Sequence, residues 1–542
     1  MPTHPFLLTL TLSQASALLK THQLTSYSLV HTYLTRIDEV NDTYNAVLQT
    51  NPSALEEASF RDLERLHLDP SSVENLSILH GIPIMLKDNI VTLDDSMEAT
   101  CGSLALVGAK PAEESAVVGA LRRAGAVILG KANMAEWSGF RSTSGCSGWS
   151  GRGGQATGIY YKGMKASGSS TGCAIAVALG LCFAAIGTET SWSIVSPAER
   201  SAVVGFKPTR NVIPSDGIIH ASRIQDTLGV LARTVEDAGL LVSILACDDE
   251  VHPKVLKKPL STIGDRNSAS LGNIRVGVPG RLLEIADISG VRMEAFRQVL
   301  DMLQTQGAKI DSSITIEGTE EYDALSGEEK QIVLDTDMKT AVNIYLSKLQ
   351  TNPNKIHTLD DIIAFTKACP EEEFPDRNVA VLERSNATNP ENELYKKMLE
   401  RDKYFGGEGG IPGALKRYNV DVILMPCLSP MMSIFAAKAG SPVLSLPMGV
   451  FSSDTEIKLD VRGMIDIAPG IPFSLYIYGG VEQDAKVLQV AHTVERMISS
   501  HVRDALHMYL APQTDLCVRD SILESETIPE ADSDSAISSS DT

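Results

Sequence analysis

From about Leu79 to Pro447, segments with the apolar spacing of helices alternate with short apolar runs typical of strands. Apolar residues spaced three or four positions apart predict amphipathic helices, and short runs of Val, Ile and Leu between glycines predict buried strands. Residues 114–137 follow the order helix, glycine turn, strand and loop, and residues 293–316 follow the order helix, glycine, strand. Such alternation predicts an α/β fold with a central, mixed and largely parallel sheet that helices cover on both faces.

The chain contains no long linker rich in Pro, Gly or Ser ahead of its last segment, so we predict a single domain over residues 1–515. Residues of about 315–416 are more charged and more helical in pattern than the rest, which predicts a peripheral helical cap or insertion. Residues 519–542 are predicted to form a disordered acidic tail. From Ser521 onward this tail holds six carboxylates, seven serines and no basic residue, and it cannot bury enough apolar surface to become ordered.

The longest apolar run, CAIAVALGLCFAAIG at residues 173–187, predicts a helix of small residues that Gly180 ends and a strand that follows. The run is too short to span a bilayer. The first residues, MPTHPFLLTLTLSQ, place no Lys or Arg ahead of their apolar run, which argues against a secretory signal.

The net charge and the cysteine and histidine patterns indicate which partners and cofactors to expect. Lys and Arg number 47 and Asp and Glu number 68, which gives a net charge of −21. An acidic surface repels nucleic-acid phosphates and anionic lipid, so we expect neither as a partner. The partner that we expect is a small-molecule substrate, and the shortness of the longest apolar run predicts no membrane span. The eight cysteines form no CxxC pair and are predicted to be free thiols in the cytoplasm. A homodimer stays open as the assembly of this chain. The 11 histidines form no HExxH motif, and we expect neither a metal ion nor an organic cofactor.

A serine-rich turn, GSSTG at residues 168–172, fits the G-x-S-x-G nucleophile elbow with Ser170 at its centre. An elbow requires a strand directly before it, whereas the preceding IYYKGMKAS is loop-like. The other interpretation is a turn that caps the next helix.

Lys87 is the second chemical candidate, because it is the only lysine or arginine in the apolar run ILHGIPIMLKDNIV. A lysine can act as a base near pH 7 only if its pKa falls by several units from about 10.4, and burial in an apolar site lowers it to that extent. An ion pair with Asp88 is the alternative interpretation. Adjacent strand residues point to opposite faces, however, so Asp88 need not neutralise Lys87.

Five motifs occur in an order that resembles the amidase signature family. They are GIPIMLKDNI, GKANMAEWS, SGSSTG, GTETSWSIVSPAERSAVVGFKPT and DTLGVLART. The resemblance covers roughly Leu12 to Tyr509, is thinner through the predicted cap, and is strongest to amidases of fungal type.

This resemblance implies an amidase of a single α/β domain that needs no cofactor. It implies that Lys87 is a buried base, that Ser169 is a bridging serine on a cis peptide, and that Ser193 is the acylated nucleophile. It further implies that backbone N–H groups of the turn before the nucleophile bind the oxyanion and that one loop residue lies near the acyl site. These binding residues are Thr190, Ser191, Trp192 and Ser193 for the oxyanion, and Ser138 for the acyl group.

The chain departs from the family pattern directly before the nucleophile. The family usually places a glycine there, and this chain has Ser191 and Trp192. Glycine permits positive φ and a close approach of substrate to the backbone, whereas an indole ring can fill the acyl pocket. Val195 stands where many members carry arginine. These departures are compatible with a narrow substrate range, a rebuilt oxyanion hole or a lost activity.

Amide hydrolysis is the function that the sequence favours, because Lys87, Ser169 and Ser193 are all present. Three alternatives stay open at this point. They are a non-catalytic homologue that binds a ligand or partner, a glutamine-hydrolysing subunit of an amidotransferase, and an ester hydrolase or acyl transferase.

The acidic tail generates a first testable prediction. Deleting residues 521–542 should leave the melting temperature within about 2 °C of the parent, because the segment buries little apolar surface. Differential scanning calorimetry of the two proteins in one buffer measures this. A fall of many degrees would instead show that the segment is docked on the domain.

Overall fold

The computed structural model describes residues 6–93, 96–144, 147–246, 271–286 and 288–516. Eleven of the strands form one sheet, and three pairs of short strands lie outside it. The strands are β1 (Val47–Thr50), β2 (Pro83–Lys87), β3 (Lys110–Pro111), β4 (Val127–Ala132), β5 (Trp149–Ser150), β6 (Gly154–Gln155), β7 (Ala184–Glu189), β8 (Val204–Lys207), β9 (Thr227–Ala232), β10 (Arg275–Gly277), β11 (Lys309–Asp311), β12 (Leu349–Thr351), β13 (Val422–Met425), β14 (Val443–Val450), β15 (Lys458–Leu459), β16 (Ile465–Ile467) and β17 (Pro472–Gly479).

Helices connect and flank these strands. They are α1 (Phe6–Thr9), α2 (Leu12–Lys20), α3 (Ser26–Tyr44), α4 (Ala54–His67), α5 (Pro70–Glu74), α6 (Ala116–Arg123), α7 (Thr171–Leu179), α8 (Val195–Ser201), α9 (Val235–Leu245), α10 (Gly280–Ile285), α11 (Gly290–Thr305), α12 (Gly318–Asp323), α13 (Gly327–Ser347), α14 (Leu359–Ala368), α15 (Ala380–Asn386), α16 (Glu393–Phe405), α17 (Ile411–Arg417), α18 (Pro430–Ala439) and α19 (Asp484–Ala505).

The large sheet has the order β1-β4-β2-β7-β9-β8-β14-β17-β13-β10-β11. Parallel pairing occurs in two blocks, β4-β2-β7 and β13-β10-β11. The remaining pairs, including the whole centre from β7 to β13, are antiparallel. The predicted mixed α/β sheet flanked by helices is therefore confirmed, but its parallel share is smaller than we expected. The alternation of helices and strands does not reveal that β8, β9, β14 and β17 pair with antiparallel neighbours.

The apolar run at 173–187 folds as predicted. Small residues form α7, every residue of which is buried. Gly180 then ends the helix in the left-handed region at φ 61°, and β7 begins four residues later. A residue with a side chain is strained at that φ, so glycine permits the sharp change from helix to strand. This change of direction places the end of β7 beside the end of β2.

The described residues bear on the predictions about membranes and metals but not on the acidic tail. The predicted tail lies outside the described residues, and the boundaries of the domain and of its cap stay predictions. None of the described helices combines the length and the apolar character needed to cross a membrane. Within the described ranges, no group of three or more His, Cys, Asp or Glu side chains is arranged to hold a metal ion.

Candidate active site

Lys87 ends β2 at the edge of the sheet where β7 also ends. The two strands are parallel, and Leu86 pairs with Ile186, so Lys87 lies level with the last residues of β7. Its Nζ lies 2.7 Å from Ser169 Oγ. The same nitrogen lies 3.0 Å from the carbonyl oxygen and 2.9 Å from the hydroxyl of Thr188. The strand register thus brings an amine and two hydroxyls together at one strand end.

The amine of Lys87 is completely buried. Burial lowers the pKa of Lys87 from 10.5 to about 8, because the charged form loses its hydration. Asp88 does not offset this effect, since its carboxylate accepts hydrogen bonds from Thr100 and from the backbone N–H of Gly102. The alternation of neighbouring strand residues predicts this separation, and the structure confirms it.

Ser169 lies in the turn before α7 and follows a cis peptide bond from Gly168. The next residue, Ser170, ties this turn to the segment that carries Ser193. The backbone N–H of Ser170 donates to the carbonyl oxygen of Ser193 at 2.9 Å, and its hydroxyl donates to the carbonyl oxygen of Thr188 at 3.0 Å. Ser170 is fully buried and the described residues directly before it form no strand, so the nucleophile-elbow interpretation is wrong.

Glu189, the last residue of β7, organises the turn that holds Ser193. One oxygen of its buried carboxylate accepts the backbone N–H groups of Ile194, at 2.8 Å, and Val195, at 3.1 Å. Burial raises the pKa of Glu189 to about 6, and the neighbouring Lys207 opposes that rise. The carboxylate therefore fixes the start of α8 and, through it, the position of Ser193.

The backbone N–H groups just before α8 lack the acceptor that Glu189 provides at the start of the helix. Those of Ser191, Trp192 and Ser193 bond to no acceptor within the described part of the chain. All three residues line the same cavity as Ser169. Donors in that position are available to an oxygen of a bound ligand.

Trp192 does not need the backbone conformation that glycine provides. It is absent from the residues with positive φ, so the turn accommodates a side chain at this position. Its indole ring is half-buried, packs against an apolar cluster that includes Phe405 and Phe435, and forms part of the cavity wall. Trp192 thus narrows the cavity from one side.

Asp226, in the segment that leads into β9, supports the same turn. One of its oxygens accepts the hydroxyl of Thr190 at 2.6 Å, and the other accepts the backbone N–H groups of Ala221 and Ser222. Sequence reasoning missed Thr188, Glu189 and Asp226 as site residues. Glu189 stands directly before the serine-rich turn and Asp226 opens the motif DTLGVLART, and these positions are the signals that could have identified the two acids.

The cavity has a volume of about 460 Å³, a size typical of small-molecule sites. Its lining includes Ser169, Thr190, Ser191, Trp192 and Ser193, together with side chains of α12, α13, α15 and α18. Ser138 also lines it, and its φ of 56° turns the loop after β4 toward this space. Every residue that we predicted for substrate binding therefore borders one cavity.

A buried charged cluster holds the Ser138 loop against the rest of the chain. Arg141 Nη1 lies 2.5 Å from both the Glu136 and the Glu372 carboxylates, and all three side chains are fully buried. The guanidinium also stacks on the ring of Trp149. Burial, and then the charge of Glu372, hold the pKa of Glu136 well above its usual range. Loss of the arginine would leave two buried acids without a counterion, so this cluster fixes the loop firmly.

Comparison with known proteins identifies the family of this chain. The sequence model of the Amidase family matches residues 28–488. The chain belongs to the amidase family. It is 35% identical over 499 residues to an Arthroderma benhamiae protein named "Putative amidase", a match that covers 90% of this chain and 81% of the relative. The structure of the peptide amidase from Stenotrophomonas maltophilia superimposes with a TM-score of 0.77 at 30% identity, over 93% of this chain and 98% of that one. As a member of this family, the chain is a hydrolase of amide C–N bonds.

A more distant relative bears on the amidotransferase alternative. A glutamyl-tRNA(Gln) amidotransferase chain of Prochlorococcus marinus is 26% identical, over 88% of this chain and 94% of the relative. The amidase relatives are more similar, so the amidotransferase interpretation is not favoured.

The position of Trp192 generates a prediction on selectivity. Replacing it with glycine should raise the ratio of kcat/KM for phenylacetamide to kcat/KM for propionamide by about tenfold or more, because the indole no longer narrows the cavity. Trp192→Phe, which keeps a smaller ring against the apolar cluster, should give an intermediate ratio. Steady-state ammonia release measures both. Equal ratios in the three proteins would show that the indole does not limit the acyl group.

Proposed function

We propose that this chain hydrolyses a carboxylic acid amide to an acid and an amine or ammonia through an acyl-enzyme on Ser193. The single observation that carries the proposal is the 2.7 Å contact between Lys87 Nζ and Ser169 Oγ, in a fully buried position on the cavity that Ser193 also lines. A serine hydroxyl needs a base to become a nucleophile, and a neutral amine with a lowered pKa is such a base.

Acylation begins with proton transfer along the three side chains. Neutral Lys87 accepts the proton of Ser169, and Ser169 accepts the proton of Ser193. Ser193 Oγ then forms a bond to the carbonyl carbon, and the carbonyl electron pair moves onto its oxygen. When this pair returns, the C–N bond breaks, and the relay delivers its proton to the departing nitrogen.

Deacylation uses the same groups in the same order. Water gives a proton to the relay, attacks the acyl carbon and releases the acid, and Ser193 recovers its proton. The N–H groups of Ser191, Trp192 and Ser193, which no acceptor of the described residues engages, support binding of the oxyanion, with Thr190 beside them. Each such preorganised donor is worth about 3 kcal/mol in the transition state.

Compartment and assembly complete the proposal. We place the chain in the cytoplasm, because the five described cysteines are all free thiols, as a reducing compartment allows. The remaining three, Cys146, Cys247 and Cys517, lie outside the described residues. Homodimerisation stays a prediction.

The nucleophile can be tested with a serine-directed fluorophosphonate probe. The parent protein should form a covalent adduct, and Ser193→Ala should form none, because the activated hydroxyl is absent. Ser170→Ala is the matched control, since it removes a neighbouring serine that our assignment does not activate. Intact-mass spectrometry counts the adducts. Labelling that persists in Ser193→Ala would refute the assignment, and an unlabelled parent would favour a non-catalytic binding protein.

The base can be tested through the pH dependence of the reaction. Lys87 acts only when neutral, so kcat/KM should rise about tenfold per pH unit up to about pH 8, the pKa that burial produces, and then level off. Lys87→Met should lower kcat by about a hundredfold or more, because the relay loses its base.

Lys207 is the appropriate control for that profile. It is also buried, and its pKa is likewise lowered to about 8, but it donates to the carbonyl oxygen of Ser441. Lys207→Met should therefore keep the rising limb near pH 8. If that limb disappears with Lys207 and remains in Lys87→Met, the base has been assigned to the wrong lysine.

A further inference from the structure

The charged side chains that line the cavity all have one sign. Among the described residues of its lining, three are cations and none is an Asp or Glu. The cations are Lys330, Arg384 and Lys438. The whole chain has the opposite bias, with 68 acidic and 47 basic residues. Each cation also has a carboxylate partner, Asp323 for Lys330, Asp335 for Arg384 and Asp402 for Lys438. The N–H donors that these pairs leave free therefore decide whether an anion can bind.

Arg384 is the cation that is best placed to bind such a ligand. It makes a side-on pair with Asp335, in which Nε lies 2.5 Å and Nη2 lies 3.0 Å from the two carboxylate oxygens. Asp335 is only 2% exposed and also accepts the hydroxyl of Ser385, so the pair holds the guanidinium in a fixed orientation. The Arg384 side chain itself is 42% exposed.

The opposite edge of this guanidinium is free. Within the described ranges, no protein acceptor bonds Arg384 Nη1. A guanidinium offers five N–H donors, and Asp335 engages the Nε edge. The edge formed by Nη1 and the second hydrogen of Nη2 matches the two oxygens of another carboxylate.

The two lysines are not equivalent. Lys438 is 6% exposed, and its Nζ lies 2.6 Å from Asp402, so this ammonium is engaged by the protein. Lys330 is 27% exposed, its Nζ donates to the carbonyl oxygen of Asp323 at 2.8 Å, and the same nitrogen lies 3.8 Å from the exposed carboxylate of that residue. An ammonium has three donors, so Lys330 retains donors for a ligand.

We propose that the cavity takes amides that carry a carboxylate, which Arg384 binds through its free guanidinium edge and to which Lys330 adds a second donor. This inference rests on the proposed function, because it places the amide carbonyl at Ser193, which borders the same cavity. Arg384 and Ser193 border one continuous cavity of about 460 Å³, so a single small molecule can reach both. Asp335 then acts as a positioning residue for Arg384.

The first experiment measures binding without turnover. Ser193→Ala is titrated by calorimetry with glutaramate and with glutaramide, which have the same shape and differ in one negative charge. The expected result is that the amic acid binds at least about tenfold more tightly, because charge-assisted hydrogen bonds are the stronger ones. A series from succinamate to adipamate locates the chain length that best spans the cavity. The pair 4-acetamidobutanoate and 4-acetamidobutanamide tests a carboxylate on the amine side of the bond.

Variants then assign the effect to Arg384. Arg384→Gln alone leaves Asp335 buried without its counterion and can fail to fold. Arg384→Gln combined with Asp335→Asn replaces the ion pair by two neutral amides and avoids that charge. In the Ser193→Ala background, this double variant should lose most of the preference for the charged ligand. Lys397→Gln is the matched control, because it removes a cation of α16 that is 59% exposed and pairs with Glu329, and it should keep the full preference.

The outcomes separate the two proposals. Equal affinity for charged and neutral ligands in both pairs would overturn the carboxylate site, even if the parent protein hydrolyses amides. A preference that survives in the double variant would overturn the role of Arg384 and restrict this residue to joining α15 to α13. Selective binding with no turnover and no probe adduct in the parent would support the carboxylate site and overturn the proposed hydrolysis.

Discussion

The desolvation of one amine is the constraint on which the rest of this site depends. Lys87 sits where two parallel strands end, without exposed surface, and the loss of hydration favours its neutral form. The partners that it contacts are hydroxyl and carbonyl oxygens, which solvate the amine without supplying a full negative charge. A carboxylate in that position would have raised the pKa of the lysine. Asp88 does not supply such a charge, because its carboxylate accepts hydrogen bonds from Thr100 and Gly102.

A second constraint divides the backbone donors of the Ser193 turn into two groups. Glu189 accepts the N–H groups of Ile194 and Val195, whereas those of the three preceding residues have no acceptor within the described part of the chain. Unpaired donors at the wall of a cavity are costly unless a ligand or solvent meets them. Trp192 shows that this arrangement does not require glycine, because the turn avoids positive φ. The departure from the family pattern thus changes the shape of the cavity wall and retains its donors.

The buried Arg141 cluster and the Arg384 pair at the cavity differ in how many edges of the guanidinium the protein engages. The Arg141 cluster is closed, because its guanidinium lies between two buried carboxylates and fixes a loop. The Arg384 pair is open, because Asp335 engages one edge and leaves the other unbonded by the described residues. A buried acid thus serves in both places to orient an arginine, but only the second arginine faces a space that a substrate can enter. On our proposal, the Arg384 pair adds a determinant of substrate selectivity to the one that Trp192 supplies, within an otherwise shared amidase architecture.

Local sequence patterns determined several elements of this fold and one residue of the site. The small-residue helix, the glycine break and the strand after it follow from the sequence, as does Lys87 as the lone lysine of a buried strand. The motifs also pointed to Ser169 and Ser193 through family resemblance. Only the tertiary structure decided that Thr188, 101 residues away from Lys87, completes the contacts of the amine, and that Arg384 faces the cavity. The antiparallel centre of the sheet likewise emerged only there. The physical reason is that periodicity records which face of an element is buried, whereas strand order and the docking of distant helices depend on contacts that no short window of sequence contains.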